Sequence, residues 1–255
     1  MECRIISLPQ LDNMPLQQVG QYLDSHVEHE VIGCVNWSND FPYKPYSTFV
    51  IAVSATRLYV FFSVISKDLR AVNTVDLSPV ADDSCVEFFM QLPGNEEYWN
   101  FEFNCIGTLN ASHRVERTNP TRLTPEELAS IQRYASCGTE PIEEQEGTYC
   151  WDLTVSIPLE LIGLDGNKLP DFIKGNFYKC AGKTANRHYV SWSPIDSDKP
   201  DFHRPDCFGT LWLRKPEQDT IPENTKSQAR STVKPSPLKR FLLRLLGKKQ
   251  TEIKC

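Results

Sequence analysis

Residues 85–105 read C-V-E-F-F-M-Q-L-P-G-N-E-E-Y-W-N-F-E-F-N-C. Two β-prone runs, 85–92 and 97–105, flank the turn Pro93-Gly94-Asn95-Glu96, which is a hairpin pattern. Setting Leu92 opposite Glu97 pairs Met90 with Trp99, Phe88 with Phe101 and Val86 with Phe103 on one face. The other face pairs Gln91 with Tyr98, Phe89 with Asn100, Glu87 with Glu102 and Cys85 with Asn104. The first face is wholly apolar and belongs to a core. Sliding one strand by a residue would mix core and polar positions, so the pattern itself selects this register.

Working outward, further strands read at 46–53, 57–66, 148–157, 175–180, 188–193 and 208–214. Eight short strands with turn signals between them predict an all-β protein, an antiparallel β-sandwich or barrel rather than βαβ units. One helix is marked. Thr124 is its N-cap, Pro125 stands at N1 and Glu127 at N3, a capping box that leads into Leu128, Ile131 and Tyr134 before Gly138. Leu16 to Leu23 suits a short helix, and the rest of the first 30 residues is loosely patterned. Trp37, Trp99, Trp151, Trp192 and Trp212 sit in apolar patterns and are expected in the core.

The 255 residues carry a net charge of −6, unevenly spread. From Lys226 onward there are nine basic residues and one acid, whereas residues 1–225 hold 18 basic and 32 acidic ones. An acidic body repels phosphate backbones, so no nucleic-acid partner is expected. Residues 215–237 are polar with four prolines and read as a linker. In 238–255, Leu238, Phe241, Leu242, Leu245 and Leu246 form one helical stripe among lysines and arginines. This C-terminal amphipathic helix suits weak contact through 238–249 with an anionic membrane surface or a partner, and equally suits capping of the domain's own apolar surface.

No apolar run reaches the roughly 18 residues a membrane-spanning helix needs. The start shows no secretory signal pattern, so a cytoplasmic location is expected, with peripheral membrane contact left to the tail. The nine cysteines include no Cys-x-x-Cys pair, which speaks against a close-paired zinc site and for reduced thiols in apolar strands.

The second hairpin face mixes carboxylates and amides with Tyr98 and Phe89. Such a face suits hydrogen bonding to hydroxyls and stacking on an apolar ring. It also suits a surface lying under a loop or in solvent, and composition alone favours that plainer reading. Glu87 opposite Glu102 is destabilising unless compensated by a cation, a basic side chain, a shared proton or a hydroxyl-rich ligand. Two carboxylates also permit a glycosidase, whose pair stands about 5–5.5 Å apart for retention. No nucleophile elbow, P-loop or His-Glu-x-x-His is present.

Several segments, in order, resemble family 9 carbohydrate-binding modules. They are Arg57-Leu58-Tyr59-Val60-Phe61, Asp83-Ser84-Cys85-Val86-Glu87, Ser191-Trp192-Ser193-Pro194, Phe202-His203-Arg204-Pro205 and Phe208-Gly209-Thr210-Leu211. The resemblance implies a β-sandwich of the jelly-roll or immunoglobulin-like kind over residues 46–214, within a domain 1–214. Members are often attached to plant-polysaccharide hydrolases, and free-standing relatives occur in gut bacteria.

By resemblance, Glu87 contacts sugar hydroxyls and Phe202 takes the place of a tryptophan wall. Lys179 maps to a polar strand position from which it would neutralise Glu87 and Glu102, the latter standing where the family offers a basic residue. The second wall would fall near Leu77 to Val80, where this chain has no aromatic. Calcium occurs in the family, but no EF-hand-like loop marks a site here.

The expected function is therefore non-catalytic binding of a mono- or oligosaccharide, linked to carbohydrate catabolism. The expected site gathers Glu87, Glu102, Asn100, Tyr98, Lys179, Phe202, His203 and Arg204, with no catalytic residue and no required cofactor. A hydrolase acting on O-glycosyl bonds and a protein-interaction sandwich tethered by the basic tail stand as alternatives.

Overall fold

The computed structural model describes residues 1–213 and the backbone of Ile253–Lys254. The predicted linker and amphipathic tail otherwise lie outside the described residues. The strands are β1 (Glu2–Ser7), β2 (Glu30–Val31), β3 (Tyr46–Val53), β4 (Arg57–Ala71), β5 (Cys85–Gln91), β6 (Tyr98–Asn104), β7 (Leu109–Arg114), β8 (Thr121–Arg122), β9 (Gln132–Ala135), β10 (Ile142–Pro158), β11 (Phe172–Ala181), β12 (His188–Ser191), β13 (Gly209–Leu213) and β14 (Ile253–Lys254). Helix α1 spans Leu16–His26 and α2 spans Pro125–Ser130. Among the described residues no helix is long and apolar enough to cross a membrane.

Strands pair along the path β8-β7-β6-β5-β11-β13-β1-β3-β4-β10-β14. β1 is where the sandwich turns. Its Glu2 to Ile5 run parallel to β13, and its Ile6 and Ser7 run parallel to β3. The two halves of the curled sheet then face each other. Phe177 on β11 stacks on Phe49 of β3 with centroids 3.5 Å apart, and on Phe88 of β5 at 4.8 Å. Leu58, Val60, Phe62 and Val64 of β4 fill the same core from the other half.

Both outer faces are covered as well. Val19, Leu23 and Val27 of α1 and its flank pack on Val50, Ala52, Tyr59 and Phe61. Gly20 lets the helix approach this closely, because a Cβ there would collide with the Thr154 hydroxyl. Burial on both sides is why β4 reads as a nearly unbroken apolar run. The other outer face, on β5, β6 and β11, lies under a second apolar layer from the loops, with Trp37, Ile195, Phe202 and Phe208.

The hairpin register is the expected one over seven pairs, from Cys85 with Asn104 to Gln91 with Tyr98. The capping box at Thr124 also forms, with Glu127 N–H donating to Thr124 Oγ1 at 3.2 Å and Glu127 Oε2 accepting from Thr124 N–H at 2.8 Å. The helix beyond it is shorter than expected. It stops at Ser130, Ile131 turns extended, and Gln132–Ala135 pairs with Leu153 to Ser156 of β10. Ladder bonds to an existing sheet edge outcompete a further helical turn, and Tyr134 ends up exposed rather than in the core.

Trp212 is a second correction. Leu211 and Leu213 point inward, so Trp212 between them points out and is 40% exposed, its ring edge against Phe172. Trp37, Trp151 and Trp192 are buried, and Trp99 is half-buried at the core margin. β1 and β7 were not legible from pattern. Each draws on partners distant in sequence or on a local polar ladder that hydrophobic periodicity does not mark.

Candidate functional site

Register places the polar face of the hairpin in rows that cross the sheet. Tyr178, Glu87, Glu102 and Asn110 are successive partners over β11, β5, β6 and β7. On one side run Asn176, Phe89, Asn100 and Ser112. On the other, Cys180 pairs with Cys85 and Cys85 with Asn104. Partners in a ladder project from the same face, so these side chains share one surface. All but Asn110 are buried. This face is therefore roofed by loops and not open to solvent.

The roof is tied down at specific atoms. The Tyr178 hydroxyl donates to the Phe202 carbonyl at 3.1 Å, and the two rings stack at 4.2 Å with planes 12° apart. Trp37 Nε1–H donates to the Ser197 carbonyl at 2.8 Å. Asn176 holds Ser193 from both sides, donating to its carbonyl at 3.0 Å and accepting from its N–H at 2.8 Å. Asp83, fully buried, accepts from Val72 N–H, Asn73 N–H and Asn104 Nδ2–H, with Arg70 Nε 3.3 Å away. It secures the approach to β5 and does not reach the pocket.

The roof has an opening over the glutamates. A cavity of about 160 Å³ has Glu87, Glu102 and Cys180 on its floor, Phe202 and Tyr189 at its side, and Asp201, His203 and Arg117 at its rim. Tyr189 and Phe202 stand with centroids 6.1 Å apart at 71°. Arg117 pairs with Asp201 at 3.3 Å. A larger open cleft of about 570 Å³ lies elsewhere, around Arg57, Glu160 and Asp165, and has no aromatic wall.

The two glutamates are held differently. Glu102 accepts from Asn100 Nδ2–H at 3.0 Å and from Asn110 Nδ2–H at 2.9 Å, while Ser112 Oγ–H donates to Asn100 Oδ1 at 2.6 Å. Glu87 accepts from the Cys180 thiol at 3.1 Å. Burial raises both carboxyls, and for Glu87 the Cys180 thiol and Glu102 raise it further, well above the usual carboxylate range. For Glu102 the two amides and Arg114 pull the other way. Glu87 is therefore the more strongly raised of the two. His203, whose Nδ1 meets the Tyr98 hydroxyl at 3.1 Å, is pushed down to about 4 by burial and by Arg114 and is neutral at pH 7.

The expected site residues separate into three groups. Glu87, Glu102, Phe202 and His203 line the cavity. Tyr98 and Asn100 stand behind it and position His203 and Glu102. Lys179 and Arg204 do not come to it. Lys179 pairs with Val86, so it leaves β11 on the core side, where Nζ donates to the Cys180 carbonyl at 2.7 Å and sits 5.8 Å from the centre of the Trp151 ring. The expectation that it neutralises the glutamates at contact is corrected by a period-two argument: Tyr178 and Cys180 share the face of Glu87, and Lys179 between them cannot.

Arg204 is engaged with Asp206 at 2.9 and 2.6 Å and with the Asp196 carbonyl at 2.6 Å. Phe202 is walled on one face by Tyr178, so it presents little free ring. Tyr189, Asp201 and Arg117 were missed. Tyr189 sits next to the Ser191-Trp192-Ser193-Pro194 motif, but only the roof brings it beside Phe202.

A loop-roofed sandwich with a small, acid-floored, aromatic-sided pocket is the architecture of a module that binds a polar small molecule. The family model for carbohydrate-binding family 9 matches residues 17–213, and the chain belongs to that family. A protein from Bacteroides uniformis ATCC 8492 to which carbohydrate binding is ascribed is 33% identical, with a TM-score of 0.78 over 84% of this chain and 99% of that one. A family 9 carbohydrate-binding module from Caldicellulosiruptor kristjanssonii, solved with cellotriose, is 12% identical, with a TM-score of 0.50 over 88% of this chain and 100% of its own. The same organism's module solved with glucose is 11% identical, with a TM-score of 0.48 over 89% and 100%. No curated protein matches the chain.

Proposed function

We propose that this chain is a non-catalytic carbohydrate-binding domain that takes one terminal sugar ring in the pocket over Glu87 and Glu102. The observation that carries this reading is the apposition of two buried carboxyls with Tyr189 and Phe202 around one small opening. Glu102 accepts hydroxyl protons from the sugar. Glu87 hydrogen-bonds to a neighbouring hydroxyl of the same ring. The C–H face of the ring lies against Tyr189. At about 160 Å³ the cavity is below the roughly 300–1,000 Å³ of most small-molecule pockets, which suits a single ring at a chain end and not an internal segment. Family membership and the Bacteroides uniformis relative support the same class of ligand.

The glutamates do not favour hydrolysis. They are side-by-side partners on adjacent strands of one wall, whereas a glycosidase sets its carboxyls on opposite sides of the bond it cleaves. The deciding experiment is a broad glycan array followed by calorimetry on the full chain with EDTA present. One class of terminal sugar binds, no reducing sugar is released, and Glu102→Ala weakens binding at least tenfold. Silence across the array, or full affinity in that variant, overturns the assignment.

A further inference from the structure

The sugar-binding reading leaves two buried thiols without a role, Cys180 on the pocket floor and Cys85 beside it on the same sheet face. Cys85 and Cys180 are partners in register on β5 and β11, and Glu87 lies two residues along β5, so all three project from one face. Cys180 Sγ stands 3.1 Å from Glu87 Oε1 and Cys85 Sγ stands 3.9 Å from it. The three donor atoms all fall within 4.8 Å of one another. Around tetrahedral zinc, with bonds of about 2.3 Å to sulfur and about 2.1 Å to oxygen, donors sit roughly 3.5–3.8 Å apart. Adjacent strands thus already hold these atoms near that spacing.

A second observation points the same way. Glu87 faces Glu102 directly, yet among the described residues no basic side chain forms an ion pair with either carboxylate. Glu87 has only thiols as hydrogen-bond donors. Like charges in register call for compensation, and a cation seated on Cys85, Cys180 and Glu87 supplies it. The open cavity lined by Glu87 and Cys180 is the route of entry and leaves a fourth position for water. Two sulfurs and one oxygen suit a soft or borderline ion. They do not fit calcium, which takes six to eight oxygens.

We propose that Cys85, Cys180 and Glu87 form a binding site for a thiophilic transition-metal ion of the zinc type. On binding, each thiol releases its proton to solvent, as does the Glu87 carboxyl where it carries one, and the two thiolates and the carboxylate become the ligands. The site needs no sugar.

The test uses the full chain, reduced, freed of metal and titrated with Co²⁺ in the absence of sugar. One equivalent should give a near-ultraviolet thiolate-to-cobalt band that equimolar Zn²⁺ abolishes. Cys85→Ser and Cys180→Ser should each weaken the ion at least tenfold, and Cys3→Ser should not. Should a serine variant fail to fold, Glu87→Gln at matched circular dichroism should still weaken binding at least tenfold. Absence of the band, or a band that survives in the Cys85→Ser/Cys180→Ser double variant or is unmoved in Glu87→Gln, overturns the site. Because sugar binding is read in EDTA with Glu102→Ala, either assignment fails without the other.

Discussion

Tyr178 holds Phe202 twice, by a 3.1 Å hydrogen bond from its hydroxyl to the Phe202 carbonyl and by a ring stack 4.2 Å away. One residue of β11 thereby fixes both the backbone and the side chain of the loop that roofs the polar sheet face. The pocket exists only because that loop is held at this height above Glu87 and Glu102.

Tyr178→Phe keeps the stack and removes the hydrogen bond. Stability should fall by about 1 kcal/mol, the usual net worth of one buried hydrogen bond. Sugar affinity should fall alongside as the roof loosens, and urea denaturation paired with calorimetry measures both. Unchanged values in both would show that the stack alone positions the loop.

Asp83→Ala should cost about 3–5 kcal/mol. It leaves the Val72 and Asn73 N–H groups and Asn104 Nδ2–H without their acceptor and Arg70 without its carboxylate, all around a fully buried position. Sugar affinity per folded molecule should stay the same, since Asp83 does not line the cavity. Chemical denaturation and calorimetry separate the two effects.

Tyr189→Ala removes the ring at the side of the pocket. Lost burial and stacking of about 1–2 kcal/mol predicts roughly tenfold weaker sugar binding with little change in melting temperature, because Tyr189 is only half-buried. A retained dissociation constant would move the sugar away from this wall.

His203 should make the protein acid-sensitive. Its folded-state value is about 4, against an ordinary 6.5, so below pH 6.5 the unfolded chain takes up a proton that the folded chain refuses. Stability should drop from pH 6.5 down to about 4 and level off below, by at most about 3 kcal/mol. The buried carboxyls act with the opposite sign, since a raised acid gains stability as pH falls. The difference between wild type and His203→Gln isolates the histidine. A flat difference over that window would mean His203 is protonated without cost.

Much of the central sheet is legible in the sequence, because its cues are local. The hairpin register follows from one apolar face of Val86, Phe88, Met90, Phe101 and Phe103, since sliding a strand by one residue would mix core and polar positions. The capping box at Thr124 is likewise a short-range pattern. The extent of the helix after it is not local. Ile131 and Tyr134 satisfy a helical spacing, and only the free edge of β10 explains why the chain extends there. Trp212 fails for a related reason, because two apolar neighbours conceal that the strand alternates.

The family motifs located Glu87, Phe202 and His203, the hairpin register located Glu102, and the four meet at the cavity. They misplaced Lys179, whose side of the sheet follows from alternation with Tyr178 and Cys180 once β11 is aligned with β5. Tyr189, Asp201 and Arg117 carry no local signature. They converge from strand β12 and two separate loops, which share no pattern in the chain.

The sequence by itself determined that this is an all-β protein and which residues of its central hairpin face the core, because burial imposes a period of two on each strand; the sandwich came from its resemblance to a known family. It also determined that two glutamates stand opposite each other. Tertiary structure alone decided that their face is roofed, that a cavity in that roof reaches them, and that Cys180 from a strand far along the chain lies against Glu87. Those relations depend on loop closure and on the order of strands in the sheet, and neither leaves a periodic trace in the amino-acid string.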